Sequence, residues 1–196
     1  MAKIAVELER ALARRRNRDT PGGTMPRIIA RGPGWTVADV ICTSGPQDAT
    51  FEERHSRYTI AMVLAGSFQY RTALGDELMT SGSLMLGNHG QGFECAHQHG
   101  EGDRCVSFWY APDYFERVAA DAGARGRRLG FKVPRVPQSR PLSPLLARAG
   151  SGALGAAGVP WEELALRLAV STVRLAADAS SSRSRVPLNA EARVTH

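Results

Sequence analysis

Two of the chain's three cysteines and two of its five histidines fall in one short stretch, Cys95-Ala96-His97-Gln98-His99-Gly100-Glu101-Gly102-Asp103-Arg104-Cys105. Thiolates and imidazoles are the soft and borderline donors that hold transition metals, so chemistry is sought here first. With His55 upstream, the candidate metal ligands are His55, Cys95, His97, His99 and Cys105. A thiolate and imidazole set at tetrahedral spacing favours zinc, in a structural or a sensing role, with copper or iron open if a ligand is exchanged or a position left free. Two other readings stand beside this one. The cysteines are small buried hydrophobes and the histidines cap a loop, or the thiols carry redox chemistry.

Spacing restricts what these side chains can do together. Gly100-Glu101-Gly102-Asp103 is a turn signal between two strand-like runs and predicts a hairpin. With a three-residue loop, Gly100 to Gly102, His97 lies opposite Cys105, and directly opposed Cβ atoms are about 4.5–5.5 Å apart. A two-residue loop shifts the pairing and separates them. Cys95, His97 and His99 share one strand face, but its ends are about 13 Å apart at roughly 3.3 Å per residue. All three meet one ion only across a bulge.

The elements that must position these residues change character along the chain. Ile4, Leu8, Ala11 and Leu12 recur at helical spacing, and Pro21 with Gly22 and Gly23 ends that helix. From Trp35 to Tyr110 the period is that of strands. Trp35 to Thr43 reads as one strand, Tyr58 to Ala65 and Phe68 to Arg71 as a hairpin about Gly66-Ser67, and Glu77 to Met79 and Ser83 to Gly87 as two more. Short strands with Gly-rich turns predict a sandwich or barrel, not βαβ units. After Pro112 the pattern turns helical. Asp113 to Ala120 opens with an acidic cap, and Trp161 to Ala177 carries Leu164, Leu168, Val170, Val173 and Leu175 as an apolar set, suited either to packing on the barrel or to a dimer helix. Four prolines between Leu129 and Pro144 predict an extended connector, and Ala179 to Arg185 reads as a low-complexity tail.

Composition narrows the class. A chain of 196 residues can bury one full core. The formal net charge of +6 is nearly all arginine, since Lys3 and Lys132 are the only lysines, and runs such as Arg14-Arg15-Arg16 and Arg125-Gly126-Arg127-Arg128 read as solvated faces or loops. There is no apolar run of bilayer length and no signal-peptide pattern, and three cysteines do not make a disulfide framework. The expectation is a cytoplasmic protein with reduced thiols and no membrane partner. No phosphate loop, nucleotide fingerprint or Ser/His/Asp arrangement is present.

Ile60-Ala61-Met62-Val63-Leu64-Ala65-Gly66-Ser67-Phe68-Gln69-Tyr70-Arg71, then Ser81-Gly82-Ser83-Leu84-Met85-Leu86-Gly87-Asn88, then Phe93-Glu94-Cys95 and Gly102-Asp103-Arg104-Cys105-Val106-Ser107-Phe108 together resemble the cupin sensory domain of AraC-type transcriptional regulators. The resemblance covers roughly Gly34 to Val118. It implies a mainly β fold, a cupin-like small β-barrel or jelly roll followed by C-terminal α-helices. The division it suggests is an N-terminal helix and basic arm (1–22), the barrel (23–112), a helical, dimerising appendage (113–178) and a linker-like tail (179–196).

In that family the cupin half senses a small-molecule effector and dimerises, while paired helix-turn-helix motifs read DNA. By the resemblance this chain is the effector-sensing part of a homodimer, taking a small-molecule or metal effector and reaching DNA only through a C-terminal module that it lacks. A barrel of this size has room for one small ligand. Its lining candidates are Trp35, Phe68, Tyr70, Phe93, Phe108 and Trp109, with Arg71 or Arg104 as orienting charges. The alternative is a metal-dependent cupin enzyme. Against it, the His-x-His pair of metallo-cupins is reduced to His55 with Arg57 at the second place, and Ser81-Gly82-Ser83 replaces their Pro-Gly turn.

Overall fold

The computed structural model describes residues 2–98, 100–124 and 129–183. Helix α1 (Ala2–Arg18) is followed by eight strands: β1 (Thr24–Gly32), β2 (Trp35–Cys42), β3 (Phe51–Arg54), β4 (Tyr58–Thr72), β5 (Gly75–Thr80), β6 (Leu84–Gly87), β7 (Gly92–Ala96) and β8 (Asp103–Tyr110). Then come α2 (Pro112–Asp121), the two-residue strand β9 (Arg135–Val136), a 3₁₀ turn (Arg140–Leu142), α3 (Ser143–Ala153) and α4 (Trp161–Arg183). The fold is mainly β, a jelly roll followed by C-terminal helices. Two sheets fold over one another without closing into a ring. One has the order β1-β2-β8-β4-β6-β9; in the other β4 pairs with β5 and β7, and β7 with β3.

Strand β4 belongs to both sheets. Residues 58–66 pair with β8, and from Ser67 onward the same strand pairs with β5 and β7. The bend falls at Gly66, where φ is 76° and a Cβ would stand 2.2 Å from the Gly102 carbonyl oxygen. Only glycine fits such an approach in the left-handed region. Gly66-Ser67, expected as a hairpin turn, is therefore a bend within one 15-residue strand.

Alternation sorts β8 into two sets. Val106, Phe108 and Tyr110 face outward, beneath the helices, and pack with Val37, Ile60, Met62, Leu84, Leu86 and Phe115. Asp103, Cys105, Ser107 and Trp109 face inward, between the sheets. Because the helices cover the outer face, the central strand is buried on both sides, and seven of its eight residues are buried. On α4 the packed stripe is Leu164, Ala165, Leu168, Ala169, Thr172 and Ala176. The alanines let the helix approach closely enough for the Tyr110 hydroxyl to donate to the Ala165 carbonyl oxygen at 2.9 Å. The apolar face of α4 is thus engaged within the chain, while Val170, Val173 and Leu175 are only half-buried.

Several elements depart from the sequence expectation. β1 runs along the sheet edge, where Pro26 is tolerated because an edge strand does not need every N–H. The proline-rich connector contributes β9 to the sheet, and its Pro144 opens α3, in which Leu145, Ala149 and Ala153 are buried. Helix α2 starts after Ala111 with no side-chain cap, and Asp113 sits in its first turn. Helix α4 continues through Ser180-Ser181-Ser182 to Arg183, where a low-complexity tail was expected. His99, Arg125 to Arg128 and residues 184–196 lie outside the described residues. Among the described helices none is long and apolar enough to cross a membrane.

Candidate functional site

Between the two sheets lies a cavity of about 570 Å³. Cross-strand register arranges the side chains of the larger sheet in layers along it. At one end Arg31, Thr36, Trp109 and Thr59 lie side by side on β1, β2, β8 and β4. Next come Ile28, Ala38, Ser107, Ala61 and Met85, then Pro26, Val40, Cys105 and Val63. The last layer is Thr24, Cys42, Asp103 and Gly66. The smaller sheet closes the other wall with Phe51, Phe68, Phe93, Cys95 and His55. From the first layer to the last is six residues of β2, roughly 20 Å at about 3.4 Å per residue.

The last layer carries the chemistry. β7 and β8 do not form the expected hairpin. β7 pairs with β3 and β4 in one sheet and β8 with β2 and β4 in the other, so the segment between them crosses from sheet to sheet. His97 therefore does not sit opposite Cys105 on a ladder. It reaches Asp103, with Nε2 2.9 Å from Oδ1. The Cys105 thiol donates to the other carboxylate oxygen, Oδ2, at 3.2 Å. Cys42 enters from β2, directly across from Asp103. The Sγ of Cys42, a ring nitrogen of His97 and a carboxylate oxygen of Asp103 all lie within 4.8 Å of one another, and all three residues are buried.

Every cysteine of the chain lines this one cavity. Burial, reinforced by the Asp103 carboxylate, raises the pKa of Cys42 and pushes those of Cys95 and Cys105 well above the ordinary thiol value. Without a cation these thiols stay protonated. A bound cation reverses that balance, because its charge stabilises the thiolate in place of the proton. His97 Nδ1 is buried and has no hydrogen-bond partner among the described residues. An unpaired polar atom in such a place costs about 1–3 kcal/mol, a cost that a cation coordinated at Nδ1 would remove. Sulfur, nitrogen and oxygen donors at this spacing fit zinc or a neighbouring transition metal, with Cys42, His97 and Asp103 as ligands and Cys105 beside them.

His55 belongs to a separate network. Its ring stacks on Phe93 with centroids 4.1 Å apart. Its Nε2 is 2.7 Å from the Tyr70 hydroxyl, which also lies 3.2 Å from the Leu86 carbonyl oxygen. Nδ1 lies 3.4 Å from the Thr59 hydroxyl. Burial lowers the His55 pKa to about 4, which keeps the imidazole neutral. A Cβ at Gly87 would stand 2.3 Å from His55 Nε2, so the ring occupies the space a side chain there would need.

Of the lining candidates named from sequence, Phe68, Phe93 and Trp109 face the cavity, as do His55, Cys95, His97 and Cys105 from the metal set. Trp35 and Phe108 are corrected: they alternate to the opposite face and pack beneath the helices. Tyr70 sits in the wall behind His55, with no exposed surface. Arg71 points outside, where it pairs with Asp76 and Glu94. Arg104 also faces away from the cavity, donating to both carboxylate oxygens of Asp39. Cys42 and Asp103 were missed. The alternation of Val40-Ile41-Cys42 hinted at the first, but nothing local marks the second, whose role comes from its register with β2.

No family model matches the chain, and no curated protein matches it. Solved structures do, over about half of its length. The Clostridium difficile EutQ protein has a TM-score of 0.40 at 14% identity, covering 47% of this chain and 71% of its own. A cupin superfamily protein from Desulfitobacterium hafniense DCB-2 has a TM-score of 0.39 at 9% identity, covering 47% and 81%. KdgF from Halomonas sp. has a TM-score of 0.38 at 17% identity, covering 50% and 92%. Likeness at this level says nothing about chemistry.

Proposed function

We propose that the chain is an effector-sensing domain of the AraC type, in which the cavity between the sheets takes one small molecule and the Cys42/His97/Asp103 cluster at its end holds a zinc ion in a structural or sensing role. The observation that carries this reading is a ligand-sized cavity that at one end bears three buried metal-donor side chains within 4.8 Å of one another. Motif resemblance supplies the regulatory context. In this reading the protein acts as a cytoplasmic homodimer and reads DNA through a separate helix-turn-helix module.

Elemental analysis of untagged protein, with Cys42→Ser and His97→Ala variants, tests the metal part. Stoichiometric zinc that both variants lose supports it; metal-free protein that folds normally and binds no added zinc overturns it. A thermal-shift screen of small metabolites tests the effector part, which fails if none raises Tm. A second reading, a metal-dependent enzyme acting on a small molecule, is favoured by one observation: the cluster lines the cavity, so a bound ion faces whatever occupies it. Turnover of a ligand found in the screen separates the two.

A further inference from the structure

The cavity has two chemically different ends. Opposite the sulfur- and carboxylate-bearing end, the layer of Arg31, Thr36, Trp109 and Thr59 is cationic and aromatic. Arg31 reaches this layer because β1 carries a bulge between Ile28 and Ala30. A one-residue insertion flips the facing of every residue beyond it. Without it, Ala30 would stand across from Thr36 and Arg31 would point away from the cavity. Arg57 completes the arrangement from the segment before β4, donating to the Thr36 hydroxyl at 3.3 Å. Thr36 thus stands across from Arg31 in register and accepts from Arg57.

Among the described residues that line the cavity, the other charged side chains apart from Asp103 are Arg54 and Glu53 on β3. Arg54 donates to the Gly90 carbonyl oxygen, and His55 is held neutral by burial. The balance at the mouth is positive, three guanidinium groups against one carboxylate. Between the two ends the walls are mainly apolar, with Ile28, Val40, Ala61, Phe68, Met85 and Phe93 beside the polar Ser107 and His55.

We propose that the effector is an elongated amphipathic anion, its carboxylate-class head on Arg31 and Arg57 beside Trp109 and its apolar body along the cavity toward the cysteines. The inference rests on the effector-binding reading and adds the ligand's chemical class and orientation. Guanidinium groups pair with carboxylates through two parallel hydrogen bonds, which fixes direction as well as charge. The aromatic face of Trp109 suits the segment joining head to body.

The test compares 4-phenylbutyrate with 4-phenyl-1-butanol, two probes of matched shape that differ in charge, by calorimetry on the full chain and on an Arg31→Gln/Arg57→Gln double variant. Both arginines are exposed, so the variant is expected to keep the wild-type Tm. The expected result is that wild type binds the acid at least about tenfold more tightly than the alcohol and that the double variant loses this preference while its affinity for the alcohol is unchanged. Equal binding of acid and alcohol by wild type, or an acid preference that survives in the variant, overturns the inference and leaves the cavity reading standing. If neither probe binds, the inference falls, and the effector-binding reading is decided by the metabolite screen.

Discussion

The two faces of strand β8 divide the molecule's tasks. Outward, Val106, Phe108 and Tyr110 lock the sheet to α2 and α4 with almost no exposed surface. Inward, Asp103, Cys105, Ser107 and Trp109 line a cavity and leave polar groups around open space. The residues are interleaved one by one, so composition cannot account for the contrast. Alternation does, because successive side chains of a strand point to opposite sides. One face stabilises the fold through burial, and the other is free to carry groups that burial penalises, such as the Asp103 carboxylate.

The sharpest way to break this comparison is Phe108→Ala. It removes a fully buried ring from the helix-side core and is expected to cost about 3–5 kcal/mol in chemical denaturation. A loss below about 1 kcal/mol would mean that the outer face does not hold the domain together.

A second large effect is expected from Asp39→Ala. Asp39 is buried and accepts from Arg104, itself 1% exposed, and from Arg27. Deleting the carboxylate removes the acceptor of two hydrogen bonds from the buried Arg104 guanidinium, a loss of about 3–5 kcal/mol. Arg104→Met in the same background should recover part of that loss, and no recovery would show that the pair is not what stabilises this corner.

The cavity wall answers to pH. The folded pKa of His55, about 4, lies below its unfolded value of 6.5. Between these values the unfolded chain binds the proton and the folded one does not, so stability falls as pH drops from 6.5 to 4. The full contribution is roughly 3 kcal/mol. A His55→Gln variant should flatten the unfolding free energy across that window relative to wild type. An unchanged slope would show that His55 is not the group responsible.

The smallest effect is expected on the inward face of β8 itself. Ser107→Ala, in the middle layer of the cavity, should change stability by no more than about 0.5 kcal/mol, in contrast to its neighbour Phe108. If the two substitutions cost the same, the inner face is a packed core and the cavity is not a ligand site.

Much of the jelly roll can be read from residues adjacent in sequence. Trp35 to Cys42 alternates as a strand, Gly75 and Gly82 mark turns on either side of β5, and the helical spacing after Pro112 is plain. The bend of β4 is less visible, since Gly66 looks the same in a hairpin turn as in a strand that changes sheets. α3 was hidden by Pro144, which breaks a helix in its interior but starts one in its first turn. The candidate site follows the same division: His97 and Cys105 stand out by type and clustering, whereas Cys42 and Asp103 take part only through cross-strand register.

What the sequence determined alone was local: which segments extend, which coil, and that the soft donors concentrate near residue 100. Alternation and helical period act within a few residues, so they can be read without knowing the rest of the chain. Partnership was decided only by the tertiary structure. Assigning β7 and β8 to different sheets turned an expected hairpin site into a cluster built from β2, β8 and the crossover between them, and one bulge in β1 aimed Arg31 inward. Those outcomes depend on which distant strands pair and in what register, and pairing energy is spread over the whole sheet rather than written at any one position.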